Sequence, residues 1–119
     1  MGIDLFNFGY WWESHEQFEA LWHAFGHHTR EGSFFKGLIQ LAAACIKGVM
    51  NNPAAASRLL KNASMALKQA PSHCMGLNTD RLIEDMSRID VAGGEISIYL
   101  LLEPMEVAPP STMSGPPKT

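Results

Sequence analysis

Apolar and polar positions over residues 10–70 repeat with the period of an α-helix in three successive segments. In the first, "YWWESHEQFEALWHAF" from about Tyr10 to about Phe25, five positions share one face at about 100° per residue: Trp11, His15, Phe18, Trp22 and Phe25. The opposite face carries Glu13, Gln17 and Ala20. Asn7 is a candidate N-cap for this helix, and Gly26 is a natural stop.

Two further long helices follow. The second is predicted to begin between Thr29 and Ser33 and to reach about Asn51, and its stretch "FFKGLIQLAAACIKGV" is apolar almost all round. That pattern is typical of a central, buried helix, and its small residues, such as Gly37, would let neighbouring helices approach closely. The third helix begins at Asn52-Pro53, an N-cap followed by proline at the first helical position, and Pro71 ends it.

The C-terminal third of the chain is less regular. After a loop, "TDRLIEDMSRID" predicts a short fourth helix with Leu82, Met86 and Ile89 facing inward. "EISIYLLLEP" alternates like a strand, but a single strand has no sheet to join, so we expect an extended arm packed on the bundle or on a second subunit. The remaining residues are rich in proline and serine.

These patterns together predict an all-α fold. It is a compact bundle of three main antiparallel helices with a short fourth helix and an extended C-terminal arm. Residues 1–103 form a single helical domain and residues 104–119 a Pro/Ser-rich tail. Because the arm exposes much apolar surface, it also favours a homodimer.

Composition narrows the functional classes. A formal charge of -3 and the lack of any Lys/Arg cluster argue against a nucleic-acid partner. The longest apolar run is too short to span a bilayer and contains Gln40 and Lys47, so no membrane segment is expected. The N-terminus has no secretory pattern, and two cysteines make no disulfide framework. A cytoplasmic protein with reduced thiols is therefore predicted.

The candidate chemistry centres on His15 and Glu19, which are neighbours on a helix because they are four residues apart. One interpretation is structural: a buried, hydrogen-bonded pair that Trp22 shields from water. The other is functional: a carboxylate and an imidazole that exchange a proton or bind a divalent metal. "HEQFE" departs from the zinc-protease pattern His-Glu-x-x-His at Glu19, and two ligands do not complete a zinc site.

Other residues extend this candidate site. Trp11 and Trp22 would form its walls, and Gln40 on the second helix would contact a ligand, which would be an unidentified small molecule. In a metal-assisted or acid-base hydrolase, Glu16 or Glu19 would activate water, and further metal ligands would lie near His15. In a non-catalytic interaction module, an exposed apolar groove or a large dimer interface would lie elsewhere. His23 and His27 favour a solvated helix end over a metal site.

Three blocks of the sequence resemble the family called domain of unknown function 309. They are "FNFGYWWESHEQFEALW", with its His-x-x-x-Glu-x-x-Trp motif, "GLIQLAAA", and the segment around Asn52 to Leu60. Lys36 stands where a glutamine is common, and Asn51 and Ala55 replace glycines of the third block. The resemblance covers roughly residues 6–67 and implies an all-helical fold. It further implies a suspected functional centre at His15, Glu19 and Trp22 for which metal binding is proposed but no reaction is established.

Overall fold

The computed structural model describes residues 2–89 and residue 100. Five α-helices are present in this part of the chain: α1 (Gly2–Asn7), α2 (Trp11–Phe25), α3 (Arg30–Val49), α4 (Pro53–Leu67) and α5 (Thr79–Met86). The three longest, α2, α3 and α4, are antiparallel neighbours with α3 in the middle. The predicted all-α bundle is therefore confirmed.

The central position of α3 follows from its small and apolar residues. Phe34, Phe35, Leu38 and Leu41 are fully buried. Gly37 brings α4 close, because a Cβ at that position would lie 2.6 Å from Leu67 Cγ. The close approach expected at Gly37 is confirmed.

The helix ends follow local chemistry. Thr29 caps α3 by accepting a hydrogen bond from the Gly32 N–H at 2.8 Å. Asn52 caps α4 by accepting one from the Ala55 N–H at 3.2 Å, with Pro53 in the first turn, as the sequence predicts.

Helix α1 was not predicted, because six residues are too few to show a helical period. Its buried residues Ile3 and Phe6 cover one side of the bundle, and Gly2 packs directly on the Phe18 ring. The prediction of Asn7 as the N-cap of α2 is wrong. Asn7 is the last residue of α1, and Tyr10 precedes α2 without any side-chain capping bond.

A small hairpin occupies part of the predicted loop before α5. Strands β1 (His73–Cys74) and β2 (Leu77–Asn78) pair antiparallel. The two residues between them, Met75 and Gly76, have φ of 53° and 81°, as a tight two-residue turn requires. Two-residue strands do not change the fold class.

Thr79 closes the base of this hairpin. Its hydroxyl is buried and lies 2.6 Å from the carbonyl oxygen of Pro71 and 2.8 Å from that of Ser72. In α5, Leu82 and Met86 are buried and Ile89 beyond it is half-buried, so the predicted inward face is confirmed.

Asn7 binds Leu100, which lies 93 residues later in the chain. The Asn7 Nδ2 donates to the Leu100 carbonyl oxygen at 2.9 Å, and the Leu100 N–H donates to Asn7 Oδ1 at 2.7 Å. Leu100 is only 1% exposed. The rest of the predicted arm and the tail over residues 104–119 lie outside the described residues, and the homodimer stays a prediction.

Candidate functional site

The predicted site residues of α2 lie along the flank of the helix and not on its most buried face. Phe18 and Ser14 are the buried residues of α2, and the Ser14 hydroxyl is satisfied by the Trp11 carbonyl oxygen at 3.0 Å. Trp11, His15 and Trp22 are half-buried. The inward face is thus centred on Ser14 and Phe18, while Phe25 remains 42% exposed.

His15 stacks on Trp12. The two rings are parallel to within 5°, with centroids 5.8 Å apart. Trp12 is nevertheless 61% exposed, so His15 supports one side of the indole while much of the ring stays open to solvent. Trp12 was not among the predicted site residues, because the helical period places it off the apolar face.

The prediction of a buried, hydrogen-bonded pair of His15 and Glu19 is wrong. Glu19 is exposed, and within the described part of the chain no hydrogen bond joins the two side chains. The reason is helical geometry: four residues advance the chain by a full turn plus about 40°, which carries Glu19 further from the core than His15. The roles assigned to the two residues in catalysis or metal binding stay predictions.

Trp22 belongs to a second ring cluster at the C-terminal end of α2. Its indole stacks on His27 with centroids 3.9 Å apart and 16° between the planes. His27 Nε2 and His23 Nδ1 lie 2.8 Å apart, a distance at which one ring nitrogen donates a hydrogen bond to the other. The indole Nε1 of Trp22 is buried and has no hydrogen-bond partner.

Gln40 is half-buried on α3. It lines a cavity of about 310 Å³ whose walls come from α3, α4 and the turn after α4, and none of its lining residues belongs to α2. The prediction that Gln40 and the first helix form one site stays a prediction. Its Oε1 is buried without a hydrogen-bond partner.

The outer surface of α1 and α2 is acidic and aromatic. Residues 1–29 contain four carboxylates, Asp4, Glu13, Glu16 and Glu19, and no lysine or arginine. Glu16, the third candidate catalytic residue, is exposed and shares an open groove between α1 and α2 with Glu13. Phe8, Tyr10 and Trp12 are each more than half exposed.

The cysteines are poor nucleophiles. Burial raises the pKa of the Cys45 thiol from 9.0 to about 12. Burial and, to a lesser extent, the nearby Glu31 carboxylate raise the pKa of Cys74. Because the thiolate is the reactive form, both residues stay protonated and unreactive near neutral pH.

No complete metal centre is formed by the described residues. Across residues 2–89 and 100, no group of three or more His, Cys, Asp or Glu side chains is arranged to hold a metal ion. Within the same residues, no helix is both long and apolar enough to cross a membrane.

The first half of the sequence matches a known family. Residues 1–59 fit the family model described as domain of unknown function (DUF309). The chain belongs to this family. Within the matched segment of this DUF309 protein lie Asn7, His15, Glu19, Trp22 and Gln40. No curated protein matches the sequence.

Proposed function

We propose that this DUF309 protein binds a guanidinium group, presented by a small molecule or by an arginine side chain, on the exposed flank of α2. This flank, the α2 strip, consists of Trp12, His15, Glu16, Glu19 and His23. Its members are three or four residues apart, so they form one continuous row on the helix. The observation that carries the proposal is the exposed Trp12 indole, supported by His15 and accompanied by two exposed carboxylates.

A guanidinium group suits this strip better than other cations do. It is planar and can stack on an indole face, while its N–H groups donate to carboxylates in a fixed geometry. Glu16 and Glu19 lie about one and two turns beyond Trp12 on the same side, within reach of such a ligand. The absence of lysine and arginine from residues 1–29 keeps the surrounding potential negative, which favours the approach of cations.

In this proposal His15 is a positioning residue. Its parallel contact with Trp12 restricts the indole, so that less side-chain entropy is lost when a ligand stacks on the ring. Glu16 and Glu19 provide charge, and Trp12 provides the contact surface. The strip binds its ligand without a reaction, but it differs from the non-catalytic interaction module expected from the sequence, whose surface would lie away from His15.

The first prediction concerns affinity for an arginine peptide with blocked termini, measured by nuclear magnetic resonance titration. Trp12→Ala should weaken binding about fivefold, since a cation–π contact at an exposed site contributes about 0.5–1 kcal/mol and ion pairs remain. Glu19→Gln should weaken it about threefold. Glu84→Gln is the matched control, because Glu84 is also exposed but lies on α5, outside the strip.

Two comparisons make this test decisive. A citrulline peptide of the same length is nearly isosteric but uncharged, and it should not bind. Agmatine, a free guanidinium compound, distinguishes a small-molecule ligand from an arginine residue in a partner. Equal binding of the citrulline peptide, or equal losses in Glu84→Gln and Glu19→Gln, would contradict the proposal.

A second candidate function, binding of a transition-metal ion, is supported by His23 and His27. Their ring nitrogens lie 2.8 Å apart, close to the separation of two imidazole nitrogens bound to one ion at about 2.0–2.1 Å. Two protein ligands leave the remaining positions to water, which favours Cu²⁺ because it binds nitrogen ligands most tightly among the divalent ions. This location differs from the His15 and Glu19 ligands expected from the sequence.

The second prediction uses Trp22 as a reporter of this ion. Because Trp22 stacks on His27, one equivalent of Cu²⁺ should quench part of the tryptophan fluorescence. His27→Ala should raise the apparent Kd for Cu²⁺ about tenfold by removing one of two ligands. His28→Ala is the control, and His15→Ala tests the pair predicted from sequence. Unchanged quenching in His27→Ala would eliminate the site.

A further inference from the structure

The cavity between α3 and α4 has a mixed lining, in which Met65 and Ala66 are apolar and the other residues are polar, and none of the lining residues belongs to α2. Its volume is about 310 Å³. The residues that carry its chemistry are Ser33, Lys36 and Gln40 from α3 together with Asn62 from α4 and Gln69 from the turn after it. The close contact that Gly37 permits between the helices lies beside it, because Lys36 directly precedes Gly37 and Gln40 follows it by three residues, about one helical turn. Two rigid helices therefore hold the walls.

The charges of the lining indicate which ligands it accepts. Among the described residues that line it, Lys36 is the one charged residue and none carries a carboxylate. An anionic group is therefore attracted by the Lys36 ammonium without repulsion from the walls. The volume lies at the lower end of the range for small-molecule sites, which excludes large cofactors.

The uncharged polar groups indicate the rest of the ligand. Gln40, Asn62 and Gln69 each carry an amide that both donates and accepts hydrogen bonds, and Ser33 carries a hydroxyl. Gln40 Oε1 is buried and accepts no hydrogen bond from the protein, although an unpaired buried acceptor is costly. A ligand hydroxyl would satisfy this acceptor once the Gln40 side chain turns its Oε1 toward the cavity. The lining thus combines several amide side chains with the single positive charge of Lys36. It therefore matches a ligand that has several hydroxyl groups and one negative charge.

We propose that the cavity binds a small polyhydroxylated anion, with its carboxylate or phosphate at Lys36 and a hydroxyl group donating to Gln40 Oε1. The carboxylate and the phosphate forms share this chemistry. The site is independent of the guanidinium site on α2, because the two have opposite charge preference and share no residue.

Four six-carbon probes separate the elements of the proposal. Gluconate carries both a carboxylate and hydroxyl groups, and glucose 6-phosphate replaces the carboxylate by a phosphate. Sorbitol lacks the anion, and hexanoate lacks the hydroxyl groups. In calorimetric titration of the full chain, we expect gluconate or glucose 6-phosphate to bind about tenfold more tightly than sorbitol or hexanoate, since a charge-assisted hydrogen bond is roughly twice as strong as a neutral one.

Variants then assign the two contacts. Lys36→Gln should reduce the affinity for the better anion to that for sorbitol, whereas Lys61→Gln, which removes an exposed lysine of α4 outside the cavity, should have no effect. Gln40→Leu should abolish binding without unfolding the protein, because it replaces an unpaired buried acceptor by an apolar group, and circular dichroism checks its fold. The proposal is overturned if sorbitol or hexanoate binds as tightly as both anions, or if Lys36→Gln retains full affinity.

Discussion

Gly32→Ala is expected to lower the free energy of unfolding by about 3 kcal/mol, at the upper end of the cost of inserting atoms into a packed site. A Cβ at this position would overlap the carbonyl oxygen of Gly26. Because that oxygen belongs to the backbone, no rotamer change can relieve the overlap. Equilibrium unfolding in urea, followed by circular dichroism, measures the loss.

The surroundings of Gly26 explain why the backbone cannot move away easily. The Gly26 N–H donates to the Trp22 carbonyl oxygen, and its own carbonyl accepts from the Thr29 hydroxyl at 3.0 Å. Gly26 has a φ of 97°, which favours glycine at this position too. Thr29 in turn caps α3 at Gly32. A side chain at Gly32 would therefore disturb the end of α2 and the start of α3 together.

Two other glycines are matched controls for this prediction. Gly9→Ala introduces a methyl group with nothing within 4 Å, so only its φ of 86° contributes and the cost should be about 1 kcal/mol. Gly37→Ala meets the buried Leu67 side chain and, at 3.2 Å, the Ala63 carbonyl oxygen, so its effect should be intermediate, because the closest overlap is with a side chain and not with the backbone. An unfolding free energy for Gly32→Ala equal to that of Gly9→Ala would contradict the assignment of a backbone overlap.

The sequence predicts the long helices well because their signals are local and repeated. The N-cap and proline at Asn52 and Pro53, the continuous apolar surface of α3 and the small residue Gly37 each have a direct physical counterpart in the bundle. The short elements, α1 and the hairpin around Gly76, contain too few residues to establish a period. They are defined by tertiary contacts and by individual backbone angles.

The candidate site could be predicted only in part. Spacing correctly makes His15 and Glu19 neighbours, but it does not determine whether they touch. A difference of about 40° in direction separates a half-buried position from an exposed one at the edge of the apolar face. The stacking of His15 on Trp12 was missed because a helical period ranks residues by burial. The contact between rings three residues apart on the flank depends on rotamers, which the period does not describe.

The N-terminal signature residue Asn7 shows a further limit of local reasoning. An asparagine before a helix is normally interpreted as a cap. Here its amide instead pairs with both backbone groups of Leu100, 93 residues later in the chain. One side chain therefore replaces the two hydrogen bonds that a neighbouring strand would supply, and it fixes Leu100 against the bundle.

The second large effect is expected at this contact. Asn7→Ala would leave the N–H and the carbonyl oxygen of the buried Leu100 without partners, at about 1–3 kcal/mol for each unsatisfied group. We expect a total loss of about 3 kcal/mol in the free energy of unfolding and faster hydrogen exchange of the Leu100 amide. Urea unfolding and hydrogen exchange followed by nuclear magnetic resonance measure the two quantities. An unchanged Leu100 exchange rate would refute the role of Asn7.

Asn7→Asp separates the two hydrogen bonds, because it keeps the shape of the side chain and changes only what it can donate. When ionised, the introduced carboxylate still accepts from the Leu100 N–H but repels the Leu100 carbonyl oxygen. When protonated, it donates to that oxygen again. Burial and this repulsion favour the neutral form of the introduced carboxyl group and raise its pKa in the folded state. The stability that protonation restores is therefore fully present below the pKa that this group has in the unfolded state. It is lost as the pH rises through the folded-state pKa.

Relative to the unmodified protein at each pH, the Asn7→Asp variant should therefore be less destabilised at pH 4 than at pH 7, whereas the destabilisation by Asn7→Ala should not depend on pH. If Asn7→Asp lowered the free energy of unfolding equally at both pH values, the hydrogen bond to the Leu100 carbonyl oxygen would contribute nothing.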